Sequence, residues 1–292
     1  MIAFPNAKIN IGLNVVGKRP DGYHDIETVF YPVNVQDVLE INVRRVFSNA
    51  RPHLHIMPDK GLFYEDEFCS LTLKGELLPG NMADNLVVRA YRMLLEDFDL
   101  PPIDIMLYKH IPSGAGLGGG SSDCANMIML LNRRFGLRMT SSCMQRYAAR
   151  LGADCAFFVL NKPVLATGIG DVMSPLPLSL KGYSILIVKP DVNVSTKEAY
   201  SLVVPQRPHI SLEDAVKRPI TEWKDIISND FEKSIFSLYP EVGELKSRLY
   251  DAGAVYAAMS GSGSAVYGIF EKPLDNPETL FAGQKFKQRA LL

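Results

Sequence analysis

The sequence has few of the features that mark secreted, membrane or nucleic-acid-binding proteins. Its four cysteines show no CxxC spacing, so the pattern favours neither a zinc site nor a redox pair. The 31 Lys and Arg residues balance 32 Asp and Glu, which leaves no basic excess for nucleic acid. No apolar run approaches the roughly 18 residues of a membrane helix, and residues 1–13 lack the pattern of a secretory signal. We expect a cytoplasmic protein with reduced thiols that binds neither membrane nor nucleic acid.

The only local hint of a metal site is the pair His53 and His55, in an HxH spacing. No cysteine or acidic motif stands beside this pair, as a zinc site would require. We interpret it as part of a solvated strand and predict no metal site made by the protein alone.

The strand pattern indicates a sheet-rich N-terminal region. Alternation of apolar and other side chains predicts consecutive antiparallel strands within the first 45 or so residues. Pro20-Asp21-Gly22 predicts a turn between the first two of these strands. The predicted strands span residues 9–15, 26–33, 38–43, 103–110, 164–167 and 183–188. The stretch from Phe47 to Met82 is irregular, and the sequence assigns it no role.

Helix signals lie between and after these strands. Asp84 is predicted to cap a helix that runs to about Phe98, and Thr140 to cap another that ends at Gly152. The other predicted helices run from Ser121 to about residue 135 and over residues 241–251. Because strands and helices come in clusters and not in strict alternation, the fold class is predicted to be α+β.

A glycine-rich segment carries the strongest chemical signal. It reads Pro112-Ser-Gly-Ala-Gly-Leu-Gly-Gly-Gly-Ser-Ser122, with five glycines in the seven positions 114–120. Glycine lets backbone N–H groups approach a ligand closely, and the segment leads into a predicted helix N-terminus, which favours anions. A phosphate group is therefore the expected ligand, with a purely structural turn as the alternative.

Two other phosphate-binding motifs fit this segment less well. A P-loop needs Lys followed by Ser or Thr after the last glycine, whereas Ser121 and Ser122 follow Gly120. The dinucleotide pattern GxGxxG matches at Gly114, Gly116 and Gly119, but no acidic residue lies between Asp123 and Asp154 to bind the ribose. A nicotinamide oxidoreductase is thus disfavoured.

Three motifs together resemble the galactokinase–homoserine kinase–mevalonate kinase superfamily. They are Pro5-Asn-Ala-Lys-Ile-Asn10, the glycine-rich segment, and Met259-Ser-Gly-Ser-Gly263, in this order. The resemblance implies a two-lobed α+β small-molecule kinase that uses ATP and Mg²⁺, with its active site in the cleft between the lobes. It implies an ATP-binding lobe over residues 1–160 and a substrate-binding lobe over residues 161–292.

Within the superfamily, further segments resemble one branch that phosphorylates a cytidyl-linked methylerythritol. They are Lys8-Ile-Asn-Ile-Gly-Leu-Asn-Val15, Asp21-Gly-Tyr-His24, Asp84-Asn-Leu86 and Leu151-Gly-Ala-Asp154. The expected partners are ATP and a small cytidyl substrate, and the sequence leaves a monomer and a homodimer equally open. Another small-molecule kinase of the superfamily and a non-catalytic ligand sensor remain the alternatives.

The resemblance also implies roles for single residues. Asp154 would be the base that takes the proton of the attacking hydroxyl, and Lys8 its charged partner. Asn10, two positions after Lys8, faces the same side of the strand and would hydrogen-bond the substrate hydroxyl. The implied ATP-binding set is Asn85, Lys109, Pro112, Gly114, Gly116, Leu117, Gly118, Gly119, Gly120, Ser121 and Ser122.

The remaining implied roles concern the substrate. Tyr23 and His24 would hold the cytosine, one by stacking and the other by hydrogen bonds. Tyr200 would close the stack from the other side. Gly261 and Gly263 would bring backbone close to the substrate phosphates.

Overall fold

Two compact units make up the chain, as the computed structural model describes it for residues 1–44, 53–56, 61–76 and 80–292. The first unit contains Met1–Ala7, Gln36–Ser113 and Gly119–Asn161. The second unit contains Lys8–Val35, Gly114–Gly118 and Lys162–Leu292. Each unit is therefore assembled from separate segments, and neither is a continuous half of the sequence.

Groups of strands and groups of helices follow one another along the described residues. The strands are β1 Ile2–Ala3, β2 Asn6–Lys18, β3 His24–Gln36, β4 Val38–Val43, β5 His53–Ile56, β6 Leu62–Glu65, β7 Cys69–Gly75, β8 Ile103–Lys109, β9 Val164–Thr167, β10 Val172–Pro175, β11 Ser184–Lys189, β12 Tyr256–Met259, β13 Val266–Phe270 and β14 Phe286–Leu291. The α-helices are α1 Leu86–Leu95, α2 Gly119–Phe135, α3 Ser141–Leu151, α4 Ala153–Leu160, α5 Thr196–Leu202, α6 Leu212–Ala215, α7 Trp223–Ile226, α8 Glu232–Leu238, α9 Pro240–Asp251 and α10 Pro277–Leu280.

The first unit is a six-stranded sheet packed against the helices α1–α4. Its strand order is β1-β4-β8-β7-β6-β5, and the pair β7–β8 is parallel while its other pairs are antiparallel. Strand β8 buries alternate side chains, as a strand with one covered face should. Its buried residues Ile103, Ile105 and Leu107 join a core that includes Ile128 and Leu131 of α2.

The second unit contains two four-stranded sheets. One has the order β10-β9-β3-β2 and the other the order β12-β13-β11-β14. Its core draws Leu13 and Val15 from β2, Leu186 and Val188 from β11, and further residues from α8 and α9. Every residue of β2 from Ala7 to Val15 is buried, so this strand can carry polar side chains only where they find partners.

Most of the expected elements are present, and the α+β fold class is confirmed by the mixed strand and helix content. Strands β4 and β9 span the predicted residues, and Thr140 caps α3 by accepting the Cys143 N–H. The glycine Gly136 follows α2 with φ 65°, as expected of a residue that ends a helix.

Two local expectations were wrong, and a helix of the first unit was missed. Asn85, not Asp84, caps α1, because Asp84 lies in a preceding 3₁₀ turn, and the helix ends at Leu95 instead of Phe98. Strand β4 pairs with β1 and β8, so the first predicted strands do not form one antiparallel run. Helix α4 was not predicted, since its short apolar sequence carries little helical periodicity.

Part of the Phe47–Met82 stretch, and the side chains of His53 and His55, lie outside the described residues. The described part contributes β5, β6 and β7 to the sheet of the first unit. Across the described ranges, every helix is too short or too polar to cross a membrane.

Candidate active site

In the first unit, a buried ion-pair network holds both ends of the glycine-rich segment. The Lys109 ammonium at the end of β8 donates to a carboxylate oxygen of Asp37 and, at 2.6 Å, to Asp123 Oδ2 in the first turns of α2. Asp37 Oδ1 also accepts the N–H groups of His110 at 2.6 Å and Ile111 at 2.8 Å. The network therefore fixes where the chain leaves β8 and where it enters α2.

Burial dominates the electrostatics of this network. Burial raises the pKa of Asp123 to about 7, and the charge of Lys109 opposes that rise only in part. Burial alone would lower the pKa of Lys109, but the carboxylates of Asp123 and Asp37 outweigh it and raise the pKa. Asp123 Oδ1 is buried and accepts no hydrogen bond from the described residues.

Lys109 is paired with carboxylates of the protein itself. The sequence assigned its side chain to ATP, whereas the structure directs the ammonium into two carboxylates with 3% of the residue exposed. A Cβ on Gly119 would lie 3.2 Å from Lys109 Nζ and 2.9 Å from Ile111 Cγ2. Glycine at this first position of α2 thus leaves the room that the lysine side chain needs.

In the second unit, the middle of the glycine-rich segment is tied to two distant segments. The Lys8 N–H donates to Leu117 O at 2.9 Å, and the Ala265 N–H donates to Ala115 O at 3.2 Å. The Ser260 hydroxyl donates to Gly116 O at 2.8 Å. Residues 114–118 are therefore held by the start of β2 and by the turn after β12, the first and third sequence motifs.

Three of the glycines adopt backbone angles that disfavour other residues. Gly114, Gly116 and Gly118 have φ values of 59°, 76° and 70°, in the left-handed region. A Cβ on Gly116 would lie 1.8 Å from Ser260 O, so this position also requires glycine for space.

Lys8 and Asn10 are buried neighbours on β2. Lys8 Nζ donates to Asn10 Oδ1 at 2.5 Å and lies 4.8 Å from the centre of the Phe30 ring. Their exposed fractions are 3% and 2%. Period-two spacing brings the two side chains together on one face of β2.

Asn10 is also hydrogen-bonded to β3, to the third motif and to β13. Its Nδ2 donates to Thr28 Oγ1 at 2.9 Å, and its N–H donates to Ser260 Oγ at 3.2 Å. The Tyr267 hydroxyl donates to Asn10 O at 2.8 Å. Asn10 therefore sits at the centre of a buried polar hydrogen-bond network.

Two buried polar residues hydrogen-bond the backbone at the end of β12 and in the turn that follows it. Asn229 Nδ2 donates to Met259 O at 2.9 Å and to Gly261 O at 2.8 Å, while Glu232 Oε1 accepts the Met259 N–H at 2.8 Å. Gly261 and Gly263 have φ values of 56° and 89°. These contacts fix the backbone of the third motif.

Asp154 lies in the first turn of α4, in the first unit, and is partly buried. It follows Gly152, whose extended backbone begins the helix. A carboxylate in the first turn interacts favourably with the helix dipole. The structure thus places this aspartate near the start of a helix that the sequence did not predict.

Of the three residues expected at the cytosine, two meet in the structure. The rings of His24 and Tyr200 stack with centroids 5.0 Å apart and an interplanar angle of 23°. Phe231 packs edge-on against Tyr200 at 4.9 Å. Tyr23, beside His24 in the chain, exposes 62% of its surface.

The remaining predicted residues occupy helix N-termini in the first unit. Asn85 Oδ1 accepts the Val87 N–H at 3.0 Å as the cap of α1. Ser121 and Ser122 lie in the first turn of α2, where Ser122 is buried and Ser121 partly exposed. Pro112 is buried in the segment that follows β8, whereas Gly120, in the first turn of α2, is exposed.

Several site residues were not found from the sequence. Buried polar residues make up this set: Asp37, Asp123, Thr28, Ser260 and Asn229, each with its side chain hydrogen-bonded to a group at least 14 residues away along the chain. Burial of single polar side chains leaves no periodic signal. Only Ser260 stood inside a motif that the sequence had singled out.

Comparisons with known proteins define the class of this chain. The family model "GHMP kinases N terminal domain" matches residues 85–162, and the model "GHMP kinases C terminal" matches residues 211–282. A homoserine kinase structure from Cytophaga hutchinsonii shares the fold, with a TM-score of 0.67 and 18% identity over 100% of this chain and 95% of that chain. The molecule is thus a kinase of the GHMP class.

Similarity to individual relatives is much higher within one branch. A 4-diphosphocytidyl-2-C-methyl-D-erythritol kinase of Bacteroides thetaiotaomicron is 55% identical over 96% of this chain and 95% of its own length. The Parabacteroides distasonis relative of the same name is 48% identical, covering 94% and 93% of the two chains. A crystal structure of 4-(cytidine 5'-diphospho)-2C-methyl-D-erythritol kinase gives a TM-score of 0.80 at 29% identity, covering 99% and 98%. The chain belongs to the family of 4-diphosphocytidyl-2-C-methyl-D-erythritol kinases.

Proposed function

We propose that this protein transfers the γ-phosphate of ATP to the 2-hydroxyl of 4-diphosphocytidyl-2-C-methyl-D-erythritol, giving the 2-phosphate and ADP. The observation that carries the proposal is the hydrogen bond from the Lys8 N–H to Leu117 O. It joins the strand of the proposed catalytic lysine directly to the glycine-rich segment. Names of relatives 45–55% identical over most of the chain support the same reaction.

The glycine-rich segment is the proposed phosphate site. Phosphoryl transfer asks the protein mainly for positioning and for stabilisation of charge. The backbone N–H groups at the start of α2, together with the hydroxyl of Ser121, would bind phosphate oxygens. Anchoring by Lys109 and Asp37 in the first unit supports a preorganised loop, which costs little ordering entropy when ATP binds.

Asp154 and Lys8 are the proposed catalytic residues. Asp154 would accept the proton of the substrate 2-hydroxyl while the oxygen of that hydroxyl forms a bond to the γ-phosphorus. The bond from that phosphorus to the oxygen bridging the β-phosphate breaks, and ADP leaves with the electron pair. The positive charge of Lys8 would stabilise negative charge that develops on the attacking oxygen.

His24, Tyr23 and Tyr200 are the proposed cytosine site. A planar base gains about 1–3 kcal/mol by stacking on an aromatic ring. The stacked pair His24–Tyr200 supports this assignment, because it places an imidazole ring, two residues after the Asp21-Gly22 turn, side by side with a phenol ring. Tyr23, whose ring is largely exposed, is available to stack on a base.

Mg²⁺ is proposed to arrive with ATP. Within the described ranges, no group of three or more His, Cys, Asp or Glu side chains is placed to hold a metal. Magnesium ions in kinase sites are usually held by phosphate oxygens and water with one or two carboxylates. When bound, the ion would neutralise charge on the β- and γ-phosphates.

A cytoplasmic location is proposed from the cofactor and the thiols. ATP is the substrate of the proposed reaction, and all four cysteines, Cys69, Cys124, Cys143 and Cys155, are free thiols in the structure. Free thiols are the normal state of cysteine in the reducing cytoplasm.

A substrate panel tests the proposal. ADP release would be measured with ATP and Mg²⁺ against the cytidyl-methylerythritol compound, mevalonate, homoserine and galactose. Turnover of the cytidyl compound alone, with phosphorus NMR showing a new monophosphate on the methylerythritol 2-oxygen, is the expected result. Turnover of another panel member would keep the kinase and overturn the substrate, whereas no turnover at all would favour a ligand sensor.

A further inference from the structure

A chain of four hydrogen-bonding groups runs from the catalytic lysine to the backbone of β2. Lys8 Nζ donates to Asn10 Oδ1 at 2.5 Å, and Asn10 Nδ2 donates to Thr28 Oγ1 at 2.9 Å. The Thr28 hydroxyl then donates to Gly12 O at 2.6 Å. Thr28, on β3, is completely buried.

The chemistry of these groups gives the chain one direction. A backbone carbonyl can only accept, so the single hydroxyl hydrogen of Thr28 is used on Gly12 O. Towards Asn10, Thr28 can then only accept, so the amide nitrogen of Asn10 must face it. The amide oxygen of Asn10 is thereby turned towards Lys8, whose ammonium can only donate.

We propose that Thr28 is a positioning residue of the kinase reaction: its hydroxyl fixes the Asn10 amide and, through it, the position of the Lys8 ammonium. The inference rests on the proposed catalytic role of Lys8. It also changes the expected role of Asn10, because both polar atoms of its side chain are engaged with Lys8 and Thr28 before any substrate binds. Asn10 then serves as the link between Thr28 and Lys8.

Threonine suits this position for two physical reasons. Its branched Cβ restricts the χ1 angle, so the hydroxyl points in a defined direction from a sheet residue. Buried hydrogen bonds in sequence also polarise one another, which strengthens the contact at Lys8. Valine keeps the shape of threonine without the hydroxyl, whereas serine keeps the hydroxyl and removes a methyl group.

Steady-state kinetics of three variants tests the proposal. Thr28→Val is expected to lower kcat about 10-fold or more, because small displacements of catalytic groups are costly, with little change in KM for either substrate. Thr28→Ser is expected to retain most of kcat. Tyr31→Phe, three residues along β3, is the control: it removes a buried hydroxyl that accepts the Leu180 N–H at 3.1 Å and is expected to leave kcat unchanged.

A double variant separates positioning from general damage to the fold. If Thr28 acts through Asn10, adding Thr28→Val to Asn10→Ala should lower kcat no further than Asn10→Ala alone. Wild-type kcat in Thr28→Val, or equal losses in Thr28→Val and Tyr31→Phe, would overturn the proposal.

A spectroscopic readout keeps this test independent of the substrate. Hydrogen exchange of the Asn10 side-chain amide, followed by nitrogen NMR, is expected to be slow in the wild type and in Tyr31→Phe, and at least several-fold faster in Thr28→Val. Equally slow exchange in Thr28→Val would overturn the positioning role even if the kinase reaction is correct. Fast exchange without turnover of any panel substrate would instead overturn the proposed function and keep the hydrogen-bond chain.

Discussion

Lys109 and Asp123 stand at opposite ends of the glycine-rich segment, and their side chains meet at 2.6 Å in the interior of the first unit. Asp37, the single residue between β3 and β4, is the third member of the network. One cation thus sits between two carboxylates, and removing Lys109 would leave both buried carboxylates without a counter-charge.

Replacement of Asp37 by alanine is expected to be strongly destabilising. It removes a partner of Lys109 and the acceptor of two backbone N–H groups. Losing one partner of a buried pair typically costs about 3–5 kcal/mol. Urea denaturation measures the free energy of unfolding.

The matched control is Asp21→Ala, which removes an exposed carboxylate paired with Arg19. This variant should unfold at nearly the wild-type urea concentration, since exposed pairs contribute little. Equal stability of Asp37→Ala and Asp21→Ala would contradict the structural role of the network.

The pH dependence of stability should carry the signature of Asp123. Burial raises its pKa from 3.8 to about 7 in the folded protein, so between these values the folded state binds more protons than the unfolded state. The titration of Asp123 therefore lowers the free energy of unfolding as the pH rises from about 4 to about 7. The Asp123→Asn variant has no carboxyl group at this position and lacks this pH dependence.

The measurement is the difference in free energy of unfolding between Asp123→Asn and the wild type at several pH values. The stability of the variant relative to the wild type should rise across this window, by at most about 1.4 kcal/mol per pH unit. A difference that stays constant from about pH 4 to about pH 7 would show that folding does not raise the pKa of Asp123.

Two glycines of the same segment should respond differently to alanine. Gly116 has φ 76° and no room for a Cβ, whereas Gly114 has φ 59° and open space around it. Gly114→Ala should cost only the left-handed backbone penalty of about 1–2 kcal/mol. Gly116→Ala should in addition displace the Ser260 backbone and raise KM for ATP. Thermal unfolding and ATP titration of both variants check this, and identical behaviour would exclude the close approach at Ser260.

Asp154→Asn should abolish most of the turnover while ATP still binds. General base catalysis typically contributes about 10²–10⁴-fold to the rate, and asparagine cannot accept the proton. The measurements are kcat and, by calorimetry, the dissociation constant for ATP. Asp99→Asn, at an exposed carboxylate of the first unit, is the control with wild-type turnover expected. Full activity of Asp154→Asn would remove this residue from the catalytic role.

Tyr200→Ala should weaken binding of the cytidyl substrate selectively. Loss of one stacking ring costs about 1–3 kcal/mol, so KM for that substrate should rise at least several-fold while KM for ATP stays the same. Tyr200→Phe keeps the ring and should behave as the wild type. A matching rise in KM for ATP would point to a general disturbance around Phe231, the ring that packs against Tyr200.

Local signals explain which parts of the structure could be predicted. Thr140 and Gly136 act on backbone groups within a few residues, and the alternation in β4 depends only on its own side chains. The error at Asp84 and Asn85 is a one-residue shift between two good capping residues, a distinction that the local pattern does not make.

The sequence by itself determined the α+β class and the three motifs shared with the kinase superfamily, because these depend on periodicity and on short local patterns. Only the tertiary structure decided that Lys8 is buried, that Lys109 pairs with carboxylates and that Thr28 supports Asn10. Lys109 and Asp37 are 72 residues apart, and Asn10 and Ser260 are 250 residues apart. Strand pairing brings such partners together, and the free-energy cost of burying an unpaired polar group selects them. Neither effect can be read from a local segment of the chain.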